Sequence, residues 1–357
     1  MIWLTWRQFR GAATMAAAAL VLLAVLLALT GPDLASDYSS GIAECATAAG
    51  GCAGFFDRFF DDKQGPFLIV TLIVLVLPAL FGLFWGAPLI ARELEAGTHL
   101  LVWNQSITRT RWLAVKLGLT GLAAVAAAGL CSLAVTWWAG PLDRSAAPGF
   151  GLLDPLVFGA RGIVPMAYAA FALVLGVTVG MMVRRTLTAM AVTLAVFAVV
   201  QVVVPLVVRP HLLPPVTSTF ELGHDNVDGF HMPRDGGSMS LTLEPAIPGH
   251  TGAWLLSSTL IGPSGPITGD GGPLPIAVST SSGPCAPPER RPQGAQPAGG
   301  DLDPCLVEIN RLGYRQRATY QPFERFWPFQ WVETGLYALL TLGLAGLCFR
   351  WIRRRVS

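Results

Sequence analysis

The chain has 357 residues, of which 53% are hydrophobic and only 13% charged, whereas a soluble domain carries about 25% charged residues. That deficit places much of the surface against lipid rather than water. A net charge of +2 gives no electrostatic support for binding nucleic acid, which is excluded as a partner class.

In chain order, residues 1–11 carry Ile2, Trp6 and Phe9 at i, i+4 and i+7, with Trp3 beside them. This predicts a short amphipathic helix lying in the membrane interface. A helix needs about 20 mostly apolar residues to cross a ~30 Å hydrocarbon core, and six runs qualify: 12–29, 67–90, 113–139, 163–183, 187–208 and 332–349. The first follows Arg7 and Arg10 and has the look of a cleaved signal peptide. The five later runs, and the lack of a small-x-small cleavage site before Gly31-Pro32-Asp33, favour an uncleaved span.

Residues 31–66 and 140–160 read as outer loops, the first containing the amphipathic run Phe55-Phe56-Asp57-Arg58-Phe59-Phe60. Arg184-Arg185-Thr186 reads as a tight turn between the fourth and fifth spans. Residues 209–331, rich in Pro, Gly, Ser and Thr, read as a small β-containing domain with strands near 238–244 and 274–279 and a flexible loop at 282–303. The expected architecture is an all-α polytopic membrane protein. It has an interfacial helix (1–11), five spans within 12–208, an extracellular insertion (209–331), and a sixth span with a basic tail (332–357).

Lys and Arg concentrate on one side of these spans: Arg7, Arg10, Arg92, Arg109, Arg111, Lys116, Arg184, Arg185, Arg350 and Arg353 to Arg355, against only Glu93 and Glu95. The positive-inside rule makes that side, and both termini, cytoplasmic, with the chain multi-pass in the plasma membrane. Cys45, Cys52, Cys285 and Cys305 then fall on the opposite side, where disulfides persist. Four thiols allow three pairings. Proximity in sequence favours Cys45–Cys52 and Cys285–Cys305, with four free thiols as the alternative.

The chain lacks G-x-x-x-x-G-K-[ST], H-E-x-x-H and G-x-S-x-G, so no phosphate cradle, zincin site or nucleophile elbow is encoded and no enzyme is expected. No Asp, Glu, His or Lys lies in the central part of a span, which argues against ion-coupled transport. His211, His224, His231 and His250 fall near Asp225, Asp228 and Asp235 with spacings that match no known metal site; they read as solvated loop residues. Polar residues inside the spans are few: Gln201, Thr178, Tyr168, Thr136 and Ser132. The second span carries Pro78, Gly82, Gly86 and Pro88, which predicts kinks, either static or able to bend.

The segment 91–111 between the second and third spans is the most distinctive. Arg92-Glu93-Leu94-Glu95-Ala96-Gly97-Thr98 continues the second helix into the cytoplasm, with Gly97 at a left-handed C-cap and Thr108 as the next N-cap. On physical grounds this is either a docking knob for a partner or a solvated loop. The pattern Arg92-Glu93-x-Glu95-x-Gly97-Thr98, followed by Ser106-Ile107-Thr108-Arg109 ahead of the third span, resembles the ABC-2 type permeases of ABC transporters. The run Tyr320-Gln321-Pro322…Phe329-Gln330-Trp331-x-Glu333 before the last span, with the Ala/Gly/Arg-rich composition, is similar to actinobacterial members.

The resemblance implies the permease subunit of an ATP-driven exporter for an amphipathic or hydrophobic substrate. It implies a separate ATPase subunit that binds ATP and Mg, no cofactor in this chain, and a second permease copy completing a homodimer in the lipid. It assigns Arg92, Glu93, Glu95, Gly97 and Thr98 to ATPase coupling, with Trp103 and Arg109 as neighbours. The runner-up is a membrane scaffold or sensor that signals through residues 209–331, which are larger than the corresponding loop in many members of the family.

Overall fold

The computed structural model describes residues 2–47, 52–97, 108–145, 147–231, 239–267, 272–286 and 303–354. These divide into two units, residues 1–213 with 326–357, and residues 214–325.

The first unit is helical. Helix α1 (Ile2–Cys45) is followed by α2 (Ala53–Leu80), a π turn (Phe81–Gly86) and α3 (Ala87–Glu95), which together form one long rod. Next come α4 (Arg109–Arg144), the short α5 (Pro155–Phe158), α6 (Val164–Val183) and α7 (Thr186–Val203). Helix α7 ends through a π turn (Val204–Val208) and a 3₁₀ turn (Arg209–His211). Helix α9 (Phe326–Arg354) completes the unit. Six of these segments are long and apolar enough to span a membrane, so the protein is a multi-pass membrane protein.

Two expectations for the N-terminal third are corrected. Residues 2–11 form no separate interfacial helix, because α1 runs unbroken from Ile2 to Cys45. The Ala-rich stretch after Gly11 has high helix propensity, and buried Phe9 anchors the start by packing edge-on against Trp85 at 4.7 Å. Nor are residues 31–66 a loop. Helix α1 has 44 residues and so is about 66 Å long, twice the bilayer core. It passes through Pro32, and α2 passes through Pro66.

Tertiary contact outweighs the cost of the prolines. Thr30 accepts a hydrogen bond from Trp138 Nε1 (2.9 Å), Tyr38 packs on Phe55, Phe56 and Phe59, and the Cys45–Cys52 disulfide ties the two helix ends.

Helix α6 is the hub. Of its apolar window 72% is buried, against 6% for α1 and 17% for α9. Glycines let α2–α3 approach it closely: a Cβ at Gly82 would lie 2.7 Å from Ala172 O, and one at Gly86 2.5 Å from Leu173 O. The π turn that carries both glycines follows Pro78, whose missing N–H disrupts the regular ladder.

Between α4 and α6, the short α5 is entered through Asp154, whose carboxylate accepts from Gly151 N at 2.7 Å. Burial pushes this carboxyl up to about 6, partly offset by that bond. Because the folded value lies above the unfolded one, the site's contribution to stability is complete below about pH 4 and is lost as pH rises through 6. Asp154→Asn should therefore stabilise the fold at pH 7.5, by at most about 3 kcal/mol, and lose that advantage near pH 4. Equal gains at both pH values would show that the carboxyl does not titrate in this way.

The second unit holds two antiparallel sheets. One has the order β1 (Val216–Phe220), β7 (Arg315–Gln321), β4 (Trp254–Gly262), β5 (Gly265–Ile267); the other has β2 (Val227–His231), β3 (Ser240–Leu243), β6 (Leu274–Pro275). The strand expected at 238–244 forms as β3, whereas at 274–279 only Leu274–Pro275 pair. Helix α8 (Asp303–Arg311) and the Cys285–Cys305 disulfide close its core around Leu241, Leu260, Ile309 and Tyr314. Most of the loop expected at 282–303 lies outside the described residues.

Candidate functional site

Two polar clusters occupy opposite ends of the helical unit. The first lies at the end that carries both termini. Helix α3 projects past the apolar part of its span, so Arg92, Glu93 and Glu95 follow directly on the buried Ile90 and Ala91. The Glu93 carboxylate turns inward and pairs with Lys116 Nζ on α4. Lys116 is only 4% exposed and sits 4.8 Å above the Trp112 ring.

Glu95 reaches the other way. Its Oε2 accepts from Thr186 N (3.0 Å) and Thr186 Oγ1 (2.7 Å), capping α7 from outside that helix. The turn it caps is tight: Arg184 ends α6 with φ 58°, a left-handed conformation uncommon for a side chain larger than glycine. Gly97 has φ 69°, as its place after α3 requires, and Thr108 caps α4 by accepting from Arg111 N at 3.4 Å. Arg92 is exposed, and Arg109 begins α4. Thr98 and Trp103 lie outside the described residues. The two acidic residues therefore join α3 to α4 and to α7 at the base of segment 98–107.

The second cluster lies at the end from which residues 214–325 insert. Arg209, one turn past α7, places Nε 2.8 Å from Glu333 Oε2 and Nη2 3.0 Å from Glu333 Oε1, a bidentate pair. The Tyr168 hydroxyl on α6 donates to the same Glu333 oxygen. Arg209 and Glu333 have no exposure and Tyr168 has 1%, and the guanidinium lies 4.1 Å from the Phe158 ring centroid. One turn towards the inserted unit on α9, Gln330 accepts from Ile163 N and Val164 N and donates to Arg161 O. One turn the other way, Tyr337 donates to Gln201 at 3.0 Å. Arg161 forms a second buried pair with Asp143 at 3.1 Å.

Sequence reasoning missed this cluster. In sequence Glu333 is only part of a family-like run and Arg209 only a domain boundary, and nothing local singles out Asp143 or Arg161. The signal was there in Gln330, Glu333 and Tyr337, which share one face of α9 at i, i+3 and i+7. Of the five polar residues noted within spans, Tyr168 and Gln201 join this column, and Ser132 holds Gly162 O nearby.

A family model described as ABC-2 membrane transporter related matches residues 17–209, more than half of the chain. The chain belongs to that family. No curated protein and no solved structure matches it. The matched region of this permease contains the whole of the first cluster and ends at Arg209, so Glu333 and the inserted unit lie outside it. Membership makes the chain a membrane subunit of an ABC transporter, a type that partners an ABC ATPase subunit.

Proposed function

We propose that the permease is the membrane half of an ATP-driven exporter, coupled to its ATPase through segment 91–111, with a second copy completing the dimer. The observation that carries this reading is the bracing of both stems of that segment, α3 to α4 by Glu93–Lys116 and α3 to α7 by Glu95–Thr186, inside the family-matched region. A loop pushed by a partner moves spans only if its stems are rigidly joined to them. The Lys and Arg bias supports placing this end and both termini in the cytoplasm.

ATP and Mg would bind the partner, and this chain would do no catalysis. Its residues would transmit displacement: Glu95 to α7 and the α6–α7 turn, Glu93 through Lys116 to α4. Export of an amphipathic or hydrophobic cargo is supported by the apolar character of the spans and the lack of central charges. The scaffold or sensor reading keeps one observation in its favour, the separate core of residues 214–325.

Purification of the tagged permease from its native membrane should bring down a P-loop ATPase in equal ratio; none across several detergents would turn the reading to the scaffold. In the isolated complex, Glu95→Ala should lower the permease-dependent part of ATP hydrolysis about five-fold or more while leaving the ATPase bound. An unchanged rate would remove Glu95 from coupling. Cargo movement in sealed vesicles separates exporter from sensor.

A further inference from the structure

We infer that Arg209, Glu333 and Tyr168 are positioning residues of the transport cycle: a buried clasp that holds α6, α7 and α9 together at the insertion end and is released when that end opens. The inference rests on the export reading and extends it to residues that the family match leaves unassigned.

Two facts of placement carry it. The cluster joins α9 to the consecutive helices α6 and α7, its two charged partners lying 124 positions apart in sequence. Along the chain it brackets the inserted unit: Arg209 precedes Pro214 and Glu333 follows Arg325, the limits of that unit. Both strands of chain that leave the bundle are therefore fastened to each other and to the hub helix at one point.

The chemistry is also that of a two-state contact. A buried ion pair adds little net stability over apolar packing, because desolvation offsets its attraction, so its worth lies in fixing one arrangement. Arg209 Nη1 has no hydrogen-bond partner among the described residues, so the closed arrangement leaves the guanidinium incompletely satisfied. Next to it the backbone is irregular: α7 gives way to the π turn Val204–Val208, carrying Pro205, just before Arg209. Such a turn can change its hydrogen-bond pattern at low cost and so shift Arg209 along the helix. The layer below joins α9 to α7 through the Tyr337–Gln201 bond and to α6 through ring packing of Tyr337 on Tyr168 and Phe171. Separation of the clasp would free the ends of α7 and α9, the two spans that lead into and out of the inserted unit.

The test is hydrogen exchange read by mass spectrometry on the full permease complex isolated from its membrane. Peptides covering residues 164–170, 204–211 and 329–337 should be protected without nucleotide and exchange about ten-fold faster when the ATPase is trapped with ATP and vanadate. The double substitution Arg209→Ala with Glu333→Ala removes both halves of the clasp without refilling their volume and should raise exchange in those peptides without nucleotide. The swap Arg209→Glu with Glu333→Arg should restore protection.

Peptides at the Lys116 end serve as the reference and should not respond to the double substitution, which a general loss of folding would not spare. If the double variant does not fold, Tyr168→Phe removes one hydrogen bond alone and should raise exchange at the same peptides. Exchange equal to wild type in the folded variant overturns the clasp, as does trapping that leaves wild-type exchange unchanged. The comparison of variant with wild type without nucleotide needs no ATPase. Failure of an ATPase to co-purify therefore counts against the export reading while leaving the clasp decided by that comparison.

Discussion

Gly176→Leu should unseat the helix bundle of the permease. A Cβ at Gly176 would lie 2.4 Å from Gly82 O, 2.7 Å from Ala87 N and 3.0 Å from Gly86 C. Every one of these atoms is backbone, so no flexible side chain can move aside. Helix α6 would have to withdraw from α2–α3 along a seam that also includes Gly180, whose Cβ would meet Ala87 O at 2.6 Å. In lipid this loss is severe, because helices associate there through close packing rather than through the hydrophobic effect.

Overpacking costs about 1–3 kcal/mol when side chains can adjust, and here the cost should exceed the upper figure. The apparent midpoint of thermal unfolding in detergent should fall by roughly 6–12 °C. Gly118→Ala and Gly343→Ala, at helical positions with nothing within 4 Å, should be neutral or slightly stabilising through higher helix propensity. A midpoint for Gly176→Leu within a degree of wild type would mean that the seam is not packed as described.

The second large effect is an asymmetry at the other end. Glu93→Gln should destabilise the permease by about 2–4 kcal/mol, more than Lys116→Met does. Removing one member of a buried pair leaves the other charge uncompensated, at a cost of about 3–5 kcal/mol when the survivor is fully buried. The two survivors differ in access to water. Lys116 is 4% exposed and would be stranded against the Trp112 ring, whereas Glu93 is 16% exposed and can recover part of its hydration.

The double variant, with both charges gone, should regain most of the loss. A double-mutant cycle on unfolding midpoints, with an interaction term above about 1 kcal/mol, would establish the pair; equal single effects that add would dissolve it. The same geometry governs how coupling is probed. Charge reversal at Glu93 perturbs folding before it perturbs any partner, so Glu95, with its exposed side chain, is the cleaner position.

Much of this was legible without coordinates. The six spans, the separate β-containing unit, the pairing of cysteines, the left-handed Gly97 and the Thr108 cap all follow from local signals. Apolar run length, turn chemistry and proximity in sequence act over a few residues or a few turns. The resemblance of Arg92 to Thr98 to ABC-2 permeases pointed to the family that the match over residues 17–209 shows.

Local signals failed where long-range contact outweighs them. Residues 31–66 look like a loop because Pro, Gly, Ser and Asp are abundant, yet they are mostly helical, since α1 and α2 brace each other through aromatic packing and a disulfide. Glu93 looks like an exposed docking charge because its neighbours in sequence are charged, yet it faces Lys116, 23 positions away.

The sequence by itself determined that the chain is a multi-pass membrane protein with six spans, and to which family it belongs, because hydrocarbon thickness and backbone chemistry constrain residues one segment at a time. Only the tertiary structure decided that α6 is the hub, that glycines on two helices form one seam, and that Arg209, Glu333 and Tyr168 meet. Which face of one apolar helix turns towards another depends on packing against all its neighbours, and charges at the ends of separate spans become partners only when the helices are brought side by side.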